Sequence, residues 1–188
     1  MRTPSLNSVF GIWRLKNGVP HVILVPAVPK EFLPPGIDLA TDEQLDEILK
    51  EVDETKIQNK VPGGGAEGDE DGAACGSREV SEEVGIIMKR RFTPQLLMRE
   101  LDRRTNHVKE GYSIHRSAFR NKMRTKFKRE KDSVLLAPIE VPLDEALEIV
   151  FQHDRNKFHY EFLLKLKKHI ESRMEKKGKR SPGSVLAA

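Results

Sequence analysis

Between Gly64 and Ile86 the chain reads GGAEGDEDGAACGSREVSEEVGI, and no other stretch limits its fold so tightly. Asp71 to Val84 has the spacing of a helix, so Glu79, Glu82 and Glu83 stand at i, i+3 and i+4 on one turn. Like charges at that spacing destabilise a helix, and something must offset them. A hard divalent cation does so best, because Mg²⁺ and Mn²⁺ take carboxylate oxygens and keep several waters. The opposite stripe, Ala73, Gly76, Ser77, Val80 and Val84, is small or apolar and suits packing on a sheet. Gly85 falls where a left-handed cap ends a helix, and Ile86 returns the chain to the core. Ahead of the helix, Pro62-Gly63-Gly64-Gly65 is a loop whose backbone can approach a phosphate or offer a carbonyl to a metal. Arg78, four residues before Glu82 and eight after Glu70, can bridge and orient carboxylates.

Strands and helices alternate irregularly around this segment. Ser8 to Leu15 and His21 to Val28 are rich in β-branched and aromatic residues and flank the turn signal Lys16-Asn17-Gly18, which predicts a hairpin. Four prolines between Pro26 and Pro35 predict an irregular connection. Thr41 then caps an acidic amphipathic helix with Leu45, Ile48, Leu49 and Val52 on one side, part of an extra acidic helical insertion over about 38–55. Lys56 to Val61 leads extended into the glycines. Ile86 to Leu101, interrupted at Thr93-Pro94, reads as strand, and so do Asn106 to Phe119, after a turn at Asp102 to Thr105, and Ser133 to Ile139. Leu143 to Phe151 and Lys157 to Met174 read as helices. One α/β domain over 1–175 and a basic disordered tail over 176–188 are the expectation.

Composition narrows the class. One cysteine among 188 residues gives Cys75 no disulfide partner and no cysteine-based zinc site. No apolar run approaches the ~20 residues of a membrane span, and the N-terminus lacks the apolar core of a signal peptide. A soluble, cytoplasmic protein is the expectation. The 33 Lys and Arg against 29 Asp and Glu leave only +4, unevenly spread. Asp38 to Glu54 is acidic, and Arg116 to Lys131 and Lys165 to Arg180 are basic. Such runs are either solvated surface or an attraction for polyphosphate or RNA.

Gly64, five residues, Glu70, seven residues, then Arg78-Glu79-Val80-x-Glu82-Glu83-x-Gly85-Ile86 resembles the complete Nudix box of the Nudix hydrolases. The resemblance implies an α/β/α sandwich with a mixed sheet and the box as a loop-helix-loop. It also implies metal-dependent hydrolysis of a nucleoside diphosphate linked to another moiety, by water attack on phosphorus. Glu79, Glu82 and Glu83 resemble the ligands of Mg²⁺ or Mn²⁺, and the carbonyl of Gly63 or Gly64 the backbone ligand. Arg78 and Glu70 resemble the pair that braces the helix. Glu82 or Glu79 is the box's candidate to take the proton of the attacking water. Family members also recruit a base or ligand from a later segment, for which Glu140, ahead of Pro142-Leu143-Asp144, is the candidate. Cys75 and Gly76 replace a pair of alanines common in the family, and Val28 to Asn59 is longer than a minimal family core.

The substrate is less legible. The stretch LLMRELDRRTNH (96–107) matches none of the marks that accompany ADP-ribose, diadenosine polyphosphates or NADH in the family. Phe10, Trp13, Phe92 and Tyr112 could stack on a base or belong to the sheet core. His107, His115 and His153 are candidates to touch a substrate. The reading is a small-molecule nucleotide substrate, such as an NTP, dNTP or nucleotide sugar, with no membrane partner. An RNA 5′ end as substrate is one alternative, motivated by the basic runs, and a non-catalytic nucleotide-sensing module is another. Many relatives are homodimers, so the resemblance admits that assembly.

Overall fold

The computed structural model describes residues 5–102, 106–151 and 157–178. Ser5–Lys16 (β1) and Val19–Pro29 (β2) form the hairpin, with Trp13 opposite Val22 and Lys16 opposite Val19. Asn17 and Gly18 both take positive φ, 51° and 81°, the geometry a two-residue hairpin turn needs. β2 runs on through Pro26 to Pro29, further than the prolines suggest. Proline loses only its N–H, and the Pro26 carbonyl still accepts from the Leu136 amide at 2.8 Å.

Asp42–Lys50 (α1) begins in a full capping box between Thr41 and Gln44, and Leu45 is completely buried beneath it. Gln58–Lys60 (β3) pairs with β2, and Gly63–Gly65 (β4) pairs with β1. Gly72–Val84 (α2) is the carboxylate-bearing helix. Ile87–Met88 (β5) is followed by Gln95–Asp102 (β6), the break falling at Thr93-Pro94 as the sequence predicts. His107–His115 (β7) gives way to a short 3₁₀ turn over Arg116–Ala118 before Phe119–Arg120 (β8) and Lys128–Arg129 (β9). The predicted strand over Ser133 to Ile139 divides into Ser133–Leu135 (β10) and Ile139–Pro142 (β11), because Pro138 interrupts the ladder; both pair with β2. Leu143–Phe151 (α3) and Lys157–Gly178 (α4) complete the described residues. α4 therefore continues past the tail boundary expected at 176, while 179–188 and the turn at 103–105 lie outside the described residues.

The principal sheet runs β6-β7-β1-β2-β10-β9, with β3, β4 and β11 joined to its two central strands. It is mixed, because β1 and β7 are parallel and their neighbours antiparallel. Alternation along β1 and β2 divides the core. Val9, Trp13, Val22 and Leu24 face α3 and α4, while Phe10, Ile12, Ile23 and Val25 face α2. An α/β/α sandwich results. Phe10 and Trp13 are thus core residues. A third cluster, with Val28, Leu33, Ile37, Leu45 and Val134, holds the acidic insertion to the sheet. Arg129 donates to the carbonyls of Ile37 and Ala40 and to Asp42, so one basic run clamps the acidic one. No helix among the described residues is long and apolar enough to cross a membrane.

His159 on α4 accepts the Val61 amide on Nδ1 at 3.2 Å. Burial, with the Lys60 and Lys109 charges, lowers its pKa from the usual 6.5 to about 4. Below pH 6.5 the unfolded chain therefore binds a proton that the folded chain does not. Stability should be fully present above pH 6.5 and fall as the pH drops towards 4, before most carboxylates titrate. His159→Asn keeps an acceptor without a titrating ring, and its urea midpoint should decline less across that window than that of the wild type.

Candidate active site

Asp71 caps α2 by accepting the Ala74 amide at 2.8 Å, and Gly85 ends it in the left-handed conformation with φ of 82°. The Ser8 hydroxyl donates to the Gly72 carbonyl at 2.6 Å, which seats the first turn on β1. Gly76 lies against the Phe10 ring so closely that a Cβ there would overlap it and come 2.9 Å from Ser8 Oγ. This explains the glycine at this position: the helix gives up about 1 kcal/mol of propensity for close contact with the sheet. Cys75 is buried and packs behind the loop. Burial and the Glu79 charge push its thiol up to about 11, so it is a packing residue and no nucleophile.

The glycine loop is built against the opposite side of the helix. Gly63 has φ of 155° and abuts the Ser8 backbone, leaving no room for a side chain; a Cβ there would sit 2.7 Å from Val9 Cα. Its amide donates to Glu83 Oε2 at 2.8 Å, while Lys60 Nζ pairs with Glu83 Oε1 at 2.5 Å. Glu83 is thus buried, at 3 % side-chain exposure, between a loop amide and a lysine from β3. Arg78 spreads its guanidinium across the other carboxylates. Nε and Nη2 donate to Glu70 at 3.0 and 3.1 Å, Nη2 to the Gly65 carbonyl at 2.7 Å, and Nη1 to Glu79 at 2.9 Å and Glu82 at 3.4 Å. The bonds to Glu70 raise the Arg78 pKa and lower that of Glu70.

The electrostatics separate the three box carboxylates. Burial raises the Glu79 pKa and the Glu83 charge adds to it, so the Arg78 charge does not fully relieve Glu79. Its side chain is 15 % exposed, against 46 % for Glu82. Gly64 lies against Glu79: a Cβ there would stand 2.5 Å from Glu79 Cδ. Gly64→Ala is accordingly expected to displace the flexible Glu79 carboxylate rather than the backbone. Turnover should fall about 10- to 100-fold while the thermal midpoint moves by no more than a few degrees, as paired kinetics and calorimetry would show.

Among the described residues no three His, Cys, Asp or Glu side chains are gathered as metal ligands. Glu79, Glu82 and Glu83 turn instead to Arg78, Lys128 and Lys60. The donor set nevertheless suits a hard divalent cation: carboxylate oxygens on one helix turn, one with a raised pKa, beside the glycine loop, whose Gly64 carbonyl lies 3.4 Å from Cys75 Sγ.

Glu140 stands elsewhere. Its carboxylate binds Arg14 at 2.5 Å and Lys16 at 3.1 Å. Burial works against its charge, yet these two cations bring its pKa below the usual value. A later carboxylate that the structure brings towards the Glu82 turn is Glu130. Lys128 Nζ lies 2.8 Å from Glu130 and 3.7 Å from Glu82, joining the two. Sequence reasoning missed Glu130, Lys60 and Lys128, for all three lie outside the box, and Glu130 and Lys128 belong to what reads as a surface charge run. Arg124 of the same run donates through Nε to the Glu83 carbonyl and through Nη2 to that of Leu136 at 2.6 Å, anchoring the end of α2. Of the histidines singled out, His107 bonds Ser5 at 2.6 Å and His115 bonds Ser117 at 2.8 Å, whereas His153 lies outside the described residues.

No protein-family model matches the chain, and no curated protein matches it. Solved structures do. A mutT/nudix family protein from Listeria innocua is 17 % identical, with 92 % of this chain and 98 % of that chain covered at a TM-score of 0.52. A Nudix hydrolase from Nitrosomonas europaea is 15 % identical, covering 98 % and 97 % at 0.52. The Nudix domain of Shewanella oneidensis NrtR, solved with ADP-ribose, is 12 % identical, covering 90 % of each chain at 0.55. At these identities the likeness is one of fold.

Proposed function

We propose that this chain, with the fold of the Nudix structures and a glutamate-bearing helix beneath a glycine loop, hydrolyses the diphosphate linkage of a nucleoside diphosphate joined to another moiety. The observation that carries the reading is the Arg78 fork, which holds Glu70, Glu79, Glu82 and the Gly65 carbonyl in one cluster at 2.7 to 3.4 Å. Glu79, Glu82 and Glu83, with a Gly63 or Gly64 carbonyl, would hold Mg²⁺ or Mn²⁺. Such a cation, when bound, neutralises charge developing on the diphosphate oxygens.

The chain's own groups supply the rest. Glu82 is the most open box carboxylate, so it takes the proton from the attacking water. Glu130, linked to it through Lys128, is the better candidate than Glu140 for the later-segment group, since Glu140 is held by Arg14 and Lys16. Arg78 fixes the helix and loop relative to each other and so positions Glu79 and Glu82. The ADP-ribose bound by the Shewanella oneidensis domain makes that class of compound one to test first. RNA 5′ ends are less favoured, because Arg124, Lys128 and Arg129 of the basic run are spent on internal contacts.

Two measurements test this. Hydrolysis in ¹⁸O-labelled water should place the label on a phosphate product; label in the other moiety would overturn attack on phosphorus. Glu130→Gln should lower kcat at least about tenfold and Glu140→Gln about threefold or less. The reverse order would return the role to Glu140.

A further inference from the structure

A cavity of about 770 Å³ opens on the α2 face of the sheet beyond the C-terminal end of that helix. Arg14, Lys89, Arg116, Lys122 and Arg124 line it, with Glu140 as the one carboxylate. None of Glu70, Arg78, Glu79, Glu82 and Glu83 reaches it. The geometry points to this cavity as a binding site for a phosphate-bearing anion, separate from the carboxylate face of α2.

The charge balance carries the argument. Arg124 is held by the Glu83 and Leu136 carbonyls, and the remaining four cations face one carboxylate that is already bonded to Arg14 and to Lys16 outside the cavity. Among the described residues, Lys89, Arg116 and Lys122 form no ion pair. Lys89 Nζ donates to the Ser117 carbonyl at 2.7 Å, and Arg116 Nη2 to the Asn121 carbonyl at 2.9 Å. Burial, and then the neighbouring Arg14 charge, hold the Arg116 guanidinium below its ordinary pKa. A single carboxylate ligand would leave most of this charge unmatched. A di- or triphosphate brings several negative charges and a geometry that the arginine fork engages through two N–H groups at once. The cavity's size falls in the range of small-ligand sites.

Two sources share this chemistry, the distal phosphates of the chain's own substrate and a separate phosphorylated molecule. Calorimetric titration of the full chain with sodium tripolyphosphate, in chelator and at fixed ionic strength, tests the site without turnover. Its result is therefore independent of the hydrolysis proposed above. Arg116→Gln with Lys122→Gln should weaken Kd at least about tenfold. Lys165→Gln with Lys168→Gln, which removes as much charge from exposed positions on α4, should weaken it about twofold or less. Lys122→Gln alone, at an exposed position, should weaken Kd about threefold and guards against misfolding of the double variant. No measurable binding, or equal losses in the two double variants, would overturn the site. Where it stands, kinetics separate the sources: a raised KM with unchanged kcat in Lys122→Gln assigns the substrate's own phosphates, and an unchanged KM assigns a separate molecule.

Discussion

Glu82→Gln is expected to lower turnover about 10²- to 10⁴-fold while leaving the fold intact. The substitution preserves shape and removes one negative charge from a turn that carries three, at Glu79, Glu82 and Glu83. Glu82 lies 3.4 Å from Arg78 and 3.7 Å from Lys128, contacts too long and too exposed to contribute much stability. Relief of like-charge repulsion offsets their loss, so the thermal midpoint should stay within about 2 °C of wild type or rise. The chemistry, in contrast, loses its most accessible proton acceptor and one prospective cation ligand together. Kinetics and calorimetry on the same preparation would check both halves. Full kcat in this variant would remove Glu82 from the reaction path.

Phe162→Ala should produce the largest loss of stability, about 3–5 kcal/mol. The Phe162 ring is wholly buried and fills the space over two glycines on adjacent parallel strands. A Cβ on Gly11 would meet its Cζ at 2.9 Å, and one on Gly111 would meet its Cε2 at 2.7 Å. The glycines thus form a socket and the ring is its plug, joining α4 to β1 and β7. Truncation leaves a cavity that neither strand can fill, because neither carries a side chain there. At about 2–4 °C per kcal/mol for a chain of this length, the thermal midpoint should fall by roughly 6–20 °C. The ring lies on the sheet face opposite α2, so kcat well below the transition should remain near wild type. A drop of less than 2 °C would mean that α4 docks by other contacts.

Local signals were legible and distant pairings were not. Thr41 with Gln44, Asp71 before α2, Gly85 after it and Asn17-Gly18 in the hairpin each act through hydrogen bonds or φ values within a few residues, so sequence order alone carries them. The same is true of the Arg78–Glu70 bond, eight residues apart across one loop. Glu83 illustrates the limit. Its place on the helix follows from spacing, but its Lys60 partner depends on β3 joining β2, a pairing set by the whole sheet. Glu140 and Glu130 show the same limit for the candidate base. Both lie after β8, and only the division of the chain at Pro138 into β10 and β11 turns Glu140 towards Arg14. The basic run shows the same limit, since Arg124 and Arg129 satisfy backbone carbonyls up to 92 residues away. No pattern of charge along the chain distinguishes such a clamp from a solvated face.

Product formation from dNTPs, nucleotide sugars, ADP-ribose, dinucleoside polyphosphates and 5′-triphosphate RNA, each with and without Mg²⁺ and with Glu82→Gln as control, tests the central claim most directly. The account predicts Mg²⁺-dependent cleavage of a diphosphate linkage in one of the small-nucleotide classes, lost in the variant. Tight nucleotide binding without turnover on any member would contradict it and leave a module that senses nucleotides rather than one that hydrolyses them.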